Sequence, residues 1–322
     1  MKELIVTREN EGQRADKFVR KFLNDAPLSF VYKLFRKKDV KVNKHWIKID
    51  YQLKKDDVLQ IYVTDSQLEE FNNPRPIVNA KFNHEIIYED ENILIVNKPR
   101  GLLVHGDETE KRITLSNQVL NYLYQKGEYN PREDNGFLPA PAHRLDRNTS
   151  GLVVFGKTIK ALQNLLNLFK DKEILEKKYL ALVVGTFSIN QGVVNAPLLK
   201  DAKTGLVKVD SNSKLAKTAI TKYEVERKYE NYTLLHIQLL TGRTHQIRAH
   251  MLHINHPIVG DGKYGNFKQN RYFKEKFNFE NQFLHAYELH FNAFKGDLDY
   301  LANKTFKADL PEEEKQILDS LK

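Results

Sequence analysis

The chain contains no cysteine. That absence removes disulfides, thiolate nucleophiles and cysteine-ligated zinc or iron–sulfur centres, and it suits a reducing compartment. Methionine and tryptophan are scarce, with two of the first and one of the second. No stretch approaches the run of about 18 uncharged apolar residues that reads as a membrane-spanning helix. The opening MKELIVTREN has neither an apolar signal core nor a small-residue cleavage site, so secretion is not expected. GxGxxG, P-loop and HExxH signatures are missing, and Ser150 in NTSGL lacks the glycine that a nucleophile elbow places before its serine. A cytosolic protein is expected, free of dinucleotide and thiol chemistry and without a membrane partner.

What is present is an ordinary globular balance: 322 residues, 41% hydrophobic and 29% charged, with a mean hydropathy of −0.57. The net charge is +9, and it is unevenly placed. Residues 12–63 hold 13 Lys or Arg against 6 Asp and no Glu, so most of the excess lies in about a sixth of the chain. Such a local excess points to a polyanion, because each phosphate neutralised releases counterions; the alternative is a lysine-rich solvated face. Within this stretch, Ala15, Phe18, Val19 and Phe22 fall on one helical face. Leu28, Val31, Leu34 and Phe35 repeat the pattern, with Pro27 opening the second helix. Short strands are predicted over 40–42 and 58–63. Arg36, Lys37, Lys38 and Lys41 then form a compact cationic surface at and beyond the end of the second helix. Two short helices, a basic turn and small strands resemble the S4 RNA-binding module. The next segment, 64–80, carries two prolines and no sustained apolar period, and reads as a linker. The expected organisation is therefore an S4-like α/β domain over 1–64, a linker over 65–80 and a larger body over 81–322.

In the body, apolar runs of strand length recur at 93–96, 152–155, 179–184, 234–240 and 283–291. A helix over 159–170 is marked by Leu162, Leu165, Leu166 and Phe169, with Thr158 as its N-cap. Strands outnumber helices and several pair as hairpins. An α+β fold around a mixed, mostly antiparallel sheet is expected.

Three polar features stand out. His245, His250, His253 and His256 are crowded enough to raise a metal site, but their spacing favours strand-edge or RNA-facing histidines, and no metal is expected. In HRLDRNTSG, Asp146 stands between Arg144 and Arg147 and follows His143; most loop aspartates of this kind cap their own turn. In TGRTHQIRAH, read as a strand, Arg243, His245, Ile247 and Ala249 share one side while Thr244, Gln246, Arg248 and His250 share the other. Polarity on both sides suits the lining of a site.

HRLDRNTSG and GRTHQIRAH together resemble the signature of the RluA-type family of RNA pseudouridine synthases. The resemblance covers nearly the whole chain, with YEDENILIVNKPRGLLVHG, EKKYLALVVG, HPIVGDGKYG and FLHAYELHF in addition. VNAPLLK and AKTAITKYEV resemble the members that modify large-subunit (23S) ribosomal RNA. The family reaction breaks the N1–C1′ bond of a uridine, turns the uracil and joins C5 to C1′, with no redox change and nothing lost, so no cofactor is implied. The resemblance makes Asp146 the essential carboxylate, acting as nucleophile or as base on the 2′ position, and Arg248 the cation that keeps it charged. It gives Tyr179 a role in stacking on the uracil and assisting proton removal at C5; on its own pattern Tyr179 is equally a core aromatic with its hydroxyl at a rim. Arg144 would enter the space left by the flipped base. His143, Arg147, Arg243, His245 and Gln246 are expected to contact RNA. A monomer is expected, because the motifs complete one site within one chain.

Residues 266–282 mix basic and aromatic side chains and match no family motif, reading as a packed surface insertion rather than an RNA-contacting loop. Residues 311–322 read as a terminal helix. Competing functions are a non-catalytic RNA-binding assembly factor, the same reaction on other ribosomal or transfer RNA uridines, and a metal hydrolase built on the histidine cluster.

Overall fold

The computed structural model describes residues 1–7, 10–73, 77–131 and 137–322. At the N-terminus, β1 (Lys2–Ile5), α1 (Ala15–Phe22), α2 (Leu28–Arg36), β2 (Val40–Val42), β3 (His45–Trp46) and β4 (Val58–Ile61) build a small unit. Its four strands run in the order β1-β4-β2-β3, and every pairing is antiparallel. The α1 stripe buries Ala15, Phe18, Val19 and Phe22, and α2 contributes Val31, Leu34 and Phe35 to the same core. Leu28 departs from the expected stripe and is exposed, because it sits in the first turn, beyond the edge of that core. Pro27 precedes the helix as its N-cap.

The segment expected to be an irregular linker begins with α3 (Asp65–Phe71). Thr64 and Gln67 form a reciprocal capping box at its start. Leu68 and Phe71 pack onto the N-terminal core, with Phe71 4.9 Å from Phe30. Two apolar residues three apart are enough to dock a seven-residue helix but too few to register as a period. The prolines of this segment, at 74 and 76, lie outside the described residues.

The body then runs through β5 (Ile86–Glu89), β6 (Ile93–Lys98), α4 (Leu115–Gln125), β7 (Ala140–Pro141), β8 (Ser150–Gly156), α5 (Ile159–Leu168) and β9 (Leu175–Val184). It continues through β10 (Gln191–Asn195), β11 (Leu198–Lys200), β12 (Val207–Val209), β13 (Ile220–Lys228) and β14 (Tyr232–Leu239). Helices α6 (Gln246–His253) and α7 (Phe267–Phe277) precede β15 (Leu284–Phe291), β16 (Thr305–Lys307) and α8 (Glu312–Ser320). The main sheet has ten strands along β10-β13-β14-β9-β15-β8-β6-β5, with β16 added to β15 and β7 to β8. All its pairings are antiparallel except β15 with β8. The mixed, mostly antiparallel sheet read from the sequence is present.

Both faces of the β6–β8 half are covered, which explains why these strands read as unbroken apolar runs. Leu94, Val96, Val153 and Phe155 face one core with Leu115, Val119 and Leu123 of α4. Ile93, Ile95, Leu152 and Val154 face the other with Ala161, Leu165 and Leu168 of α5. Thr158 caps α5 as expected, accepting from the Ala161 amide at 3.1 Å.

The parallel β15–β8 contact is a seam of two residue pairs, His285 with Ser150 and Ala286 with Gly151. His285 pins it: its Nε2–H donates to the Ala308 carbonyl at 2.9 Å and its Nδ1 accepts from the Ser150 hydroxyl at 2.8 Å. Burial pushes the pKa of this imidazole down to about 4, so it holds these bonds as a neutral ring. Gly151 has φ +108, and a Cβ there would lie 2.2 Å from the Ala286 carbonyl oxygen. Gly151→Ala is therefore expected to cost at least about 3 kcal/mol, from left-side backbone strain plus collision with backbone that cannot move aside. Urea unfolding of the purified variant measures it; a loss below about 1 kcal/mol would show that the seam can open.

Candidate active site

Asp146 lies on the short crossing between β7 and β8. Its loop is held from below by buried Leu145 and closed by a turn in which the Thr149 amide donates to the Asp146 carbonyl at 3.1 Å. Arg248 reaches this carboxylate from α6, Nη1 to Oδ2 at 3.0 Å. The other side of the guanidinium is gripped by Asp261, with Nε to Oδ2 at 2.7 Å and Nη2 to Oδ1 at 2.8 Å. Asp261 is itself fixed, since its Oδ1 also accepts from the amides of Lys263 and Tyr264. The Asp261 side chain is fully buried, whereas that of Asp146 is 25% exposed. One carboxylate thus orients the arginine and the other meets solvent. Burial works against the charge on Arg248, but its bonds and attraction to Asp261 and Asp146 outweigh it and raise its pKa. Deprotonation is out of reach.

The expected strand over 241–250 is instead a turn over 241–245 followed by the start of α6. Gln246 explains the change. Its Oε1 accepts from the Arg243 amide and the Thr241 hydroxyl, and its Nε2 donates to the Ile220 carbonyl and Thr221 Oγ1. These four bonds tie the helix entry, through a buried side chain, to the turn before it and to the start of β13. Residues 246–251 are all buried, so the helix has no polar stripe that would have revealed its period. His245 stands at the N-cap in the left-handed region, φ 52 and ψ 22.

Asp146, Arg248, His245 and Tyr179 line one cavity of about 460 Å³, with Phe169, Leu239 and Leu284 among its apolar walls. Tyr179 lies in β9, opposite Ile237 and Ala286. Its hydroxyl has no hydrogen-bond partner among the described residues, and burial, helped by the Asp146 charge, raises its pKa. It is a neutral phenol. His143 lies in the wall rather than on an RNA-facing surface. Its Nε2 accepts from the Val154 amide, and the ring stacks on Phe169 at 4.3 Å. Burial, with Lys177 adding to it, pushes the pKa of His143 down to about 3.

Arg144 and Arg243 are exposed at the rim of the cavity, and Arg243 is steadied by a bond from Nε to the Thr218 carbonyl. Arg147 points away, donating to Thr109 Oγ1 at 3.0 Å and lying 3.5 Å from Asp107. Gln246 is occupied by its bonds to the turn and to β13. The histidine group disperses in structural roles. His250 donates from Nε2 to the Ala196 carbonyl and bonds Thr221 Oγ1, while His256 donates to the Val184 carbonyl and stacks on Phe187. Among the described residues no cluster of three or more metal-ligating side chains occurs. In the N-terminal unit, Arg36, Lys37 and Lys38 are exposed and Lys41 is half-buried. Lys38 lies 5.0 Å over the Trp46 ring and Lys41 4.8 Å over Tyr62, giving a surface of cations laid on aromatics.

Neither Lys98 of VNKPRG nor Asp261 of HPIVGDGKYG is among the site residues expected from the sequence, where Asp261 is only the carboxylate nearest the histidine cluster. The available signal for Lys98 is a lone charge at the end of an apolar run. Lys98 is fully buried and donates to three carbonyls, those of Pro99, Leu102 and Arg147. The last of these ties its own loop to the Asp146 loop. The next residue but one, Arg100, stacks on Phe279 at 4.4 Å and pairs with buried Glu314 at 2.6 Å. The terminal helix α8 thereby clasps this loop, a role its sequence did not show. Segment 266–282 contributes in the same way. It is the capped helix α7, whose Asn270 accepts from the Gly260 amide and donates to the Asp261 carbonyl.

The sheet thus brings an aspartate, an arginine and a tyrosine to one cavity, and the class of the protein, an RNA-modifying isomerase, follows from what the chain resembles. The chain belongs to the RNA pseudouridylate synthase family, whose sequence pattern matches residues 92–253. It is 38% identical to "Ribosomal large subunit pseudouridine synthase C" of Vibrio parahaemolyticus, over 91% of this chain and 89% of that one. It is 34% identical to the protein of the same name from Pasteurella multocida, over 100% and 94%. Among solved structures, "Human RNA Pseudouridylate Synthase Domain Containing 4" superposes with a TM-score of 0.58 at 25% identity, covering 74% of this chain and 93% of its own. Among the described residues no helix is long and apolar enough to cross a membrane.

Burial, opposed by Asp146 and reinforced by Arg100, pulls the pKa of Lys98 from 10.5 down to about 7. The unfolded chain therefore binds more protons than the folded one between these values. The contribution of Lys98 to stability is full above the unfolded value and is lost as pH falls toward 7. In urea titrations the stability of the native protein relative to Lys98→Met is expected to rise from pH 7 to about pH 9. A pH-independent difference would mean that the lysine keeps its proton throughout.

Proposed function

We propose that this protein isomerises uridines of large-subunit (23S) ribosomal RNA to pseudouridine in the cytoplasm, acting as a monomer. The observation that carries the chemistry is the Asp261–Arg248–Asp146 chain at the wall of a cavity large enough for a nucleoside. The names of the relatives support the choice of RNA. A uridine enters this cavity only when turned out of its stack, at a cost of a few kcal/mol. Arg144 at the rim is placed to fill the vacated space and to stack on neighbouring bases. Asp146 is the reactive carboxylate. Its Oδ2 is bonded to Arg248, and its Oδ1, which has no partner among the described residues, is the oxygen offered to the sugar. Tyr179, held protonated, offers a ring for stacking and a hydroxyl for hydrogen bonding to the uracil, rather than a phenolate base.

We assign residues 1–64 to an S4-like RNA-binding domain and 81–322 to the catalytic domain. The supporting feature is the separate core of the N-terminal unit beneath the surface of Arg36, Lys37, Lys38 and Lys41. Such a surface adds phosphate contacts, which position the RNA without reading its sequence.

The test is tritium release from 23S transcripts labelled at uridine C5, followed by mapping of the modified positions. Asp146→Asn is expected to lower release by at least about three orders of magnitude while leaving RNA affinity intact. Arg248→Lys is expected to lower it about a hundredfold, because an ammonium cannot bridge both carboxylates. Full release by folded Asp146→Asn, or none by the native protein on naked RNA, precursor particles or transfer RNA, would sink the reading.

A further inference from the structure

His245 was expected to touch RNA, but its surroundings indicate a different task. The Tyr264 hydroxyl oxygen accepts from the Val207 amide at 2.8 Å and lies 2.9 Å from His245 Nδ1. That amide takes one acceptor position of the phenol oxygen, and among the described residues His245 Nδ1 is the partner left for the phenol's own proton. Nδ1 is therefore the acceptor, and the ring carries its proton on Nε2. Nε2 faces Asp146, 3.8 Å from Oδ2. That is the oxygen already bonded to Arg248. Both donors converge on one side of the carboxylate and leave Oδ1 toward the cavity.

We infer that His245 is a positioning residue for Asp146, a neutral imidazole whose Nε2–H, set by Tyr264, engages Oδ2 and turns Oδ1 toward the bound nucleotide. The inference rests on the reading of Asp146 as the reactive carboxylate. At 3.8 Å the contact is longer than a hydrogen bond, so the bond closes when nucleotide fills the cavity and the Asp146 side chain turns, as catalytic hydrogen bonds commonly tighten on binding. The neutral state agrees with the charges around the ring. Burial lowers the imidazole pKa; Asp146 and Asp261 oppose this, while Arg248 and Lys263 reinforce it. Tyr264 is pushed up by burial and keeps its proton. The left-handed backbone at residue 245 is what delivers the ring to this place, at the helix entry instead of along it.

The experiment uses the full chain with His245→Ala, His245→Gln, His245→Asn, Tyr264→Phe and the Ala/Phe double variant. Single-turnover tritium release and RNA affinity are measured separately, and the imidazole tautomer is read from its 15N resonances. His245→Ala is expected to slow the single turnover about tenfold to a hundredfold, the cost of a misplaced reacting group, with affinity unchanged. His245→Gln, whose amide N–H reaches the place of Nε2, restores most of the rate, while the shorter Asn does not. Tyr264→Phe lowers the rate in the native background but not in the Ala background, and the native 15N spectrum shows the Nε2–H tautomer. A loss of affinity without a loss of single-turnover rate would make His245 an RNA contact and overturn the inference. Additive effects of the two variants, equal rates for Gln and Asn, or an Nδ1–H tautomer would overturn it as well. The spectrum requires no turnover, so it judges His245 even if Asp146→Asn remains active and the proposed function fails.

Discussion

The site depends on one buried guanidinium shared by two carboxylates. A lone arginine in this position would be expensive, since charge withdrawn from water must be repaid by bonds of good geometry. Asp261 supplies them in forked form, and the amides of Lys263 and Tyr264 fix Asp261 in turn. Arg248 is therefore rigid before any substrate arrives, and Asp146 takes its orientation from it. The trio carries a net negative charge, and Arg144 and Arg243 stand exposed at the rim of the same cavity. On the proposed function they would supply the compensating field for the phosphates.

Asp146 and Tyr179 come from distant stretches of chain, and the sheet brings them together at its parallel seam. Asp146 stands four residues before β8, and Tyr179 pairs with Ala286 of β15, which on its other side meets Gly151 of β8. Antiparallel hairpins could not have placed a loop from one half of the sheet directly over a strand of the other. The tight approach at Gly151 is the geometric condition for that crossing. Lys98 and the clasp of α8 on Arg100 then hold the loops above it, so residues some 200 positions apart share one small scaffold.

The sequence revealed strands, the capped helix α5 and the Asp146 and Arg248 motifs because each leaves a local mark: an apolar run, a capping threonine, or charges set in a glycine-bounded loop. It did not reveal α6, whose first six residues are buried on every side, polar and apolar alike, so that the period is lost. Gln246 looked like a ligand for RNA because a buried amide and an exposed one are the same letter. Lys98 and Asp261 were silent for a related reason. Their partners are backbone groups and, for Asp261, a guanidinium thirteen residues before it, and no letter of the sequence records such bonds. His245 was visible as a site residue, but the duty inferred for it could not be read without the Tyr264 hydroxyl beside its Nδ1.

The single tryptophan has a practical consequence. Trp46 is 55% exposed in the N-terminal unit, beneath Lys38 and far in sequence from the catalytic loops. Its emission is therefore an intrinsic optical label for that unit alone. Any change in the colour or quenching of tryptophan emission on adding RNA reports on the surroundings of Trp46, and the catalytic cavity, which no tryptophan lines, adds nothing to that signal.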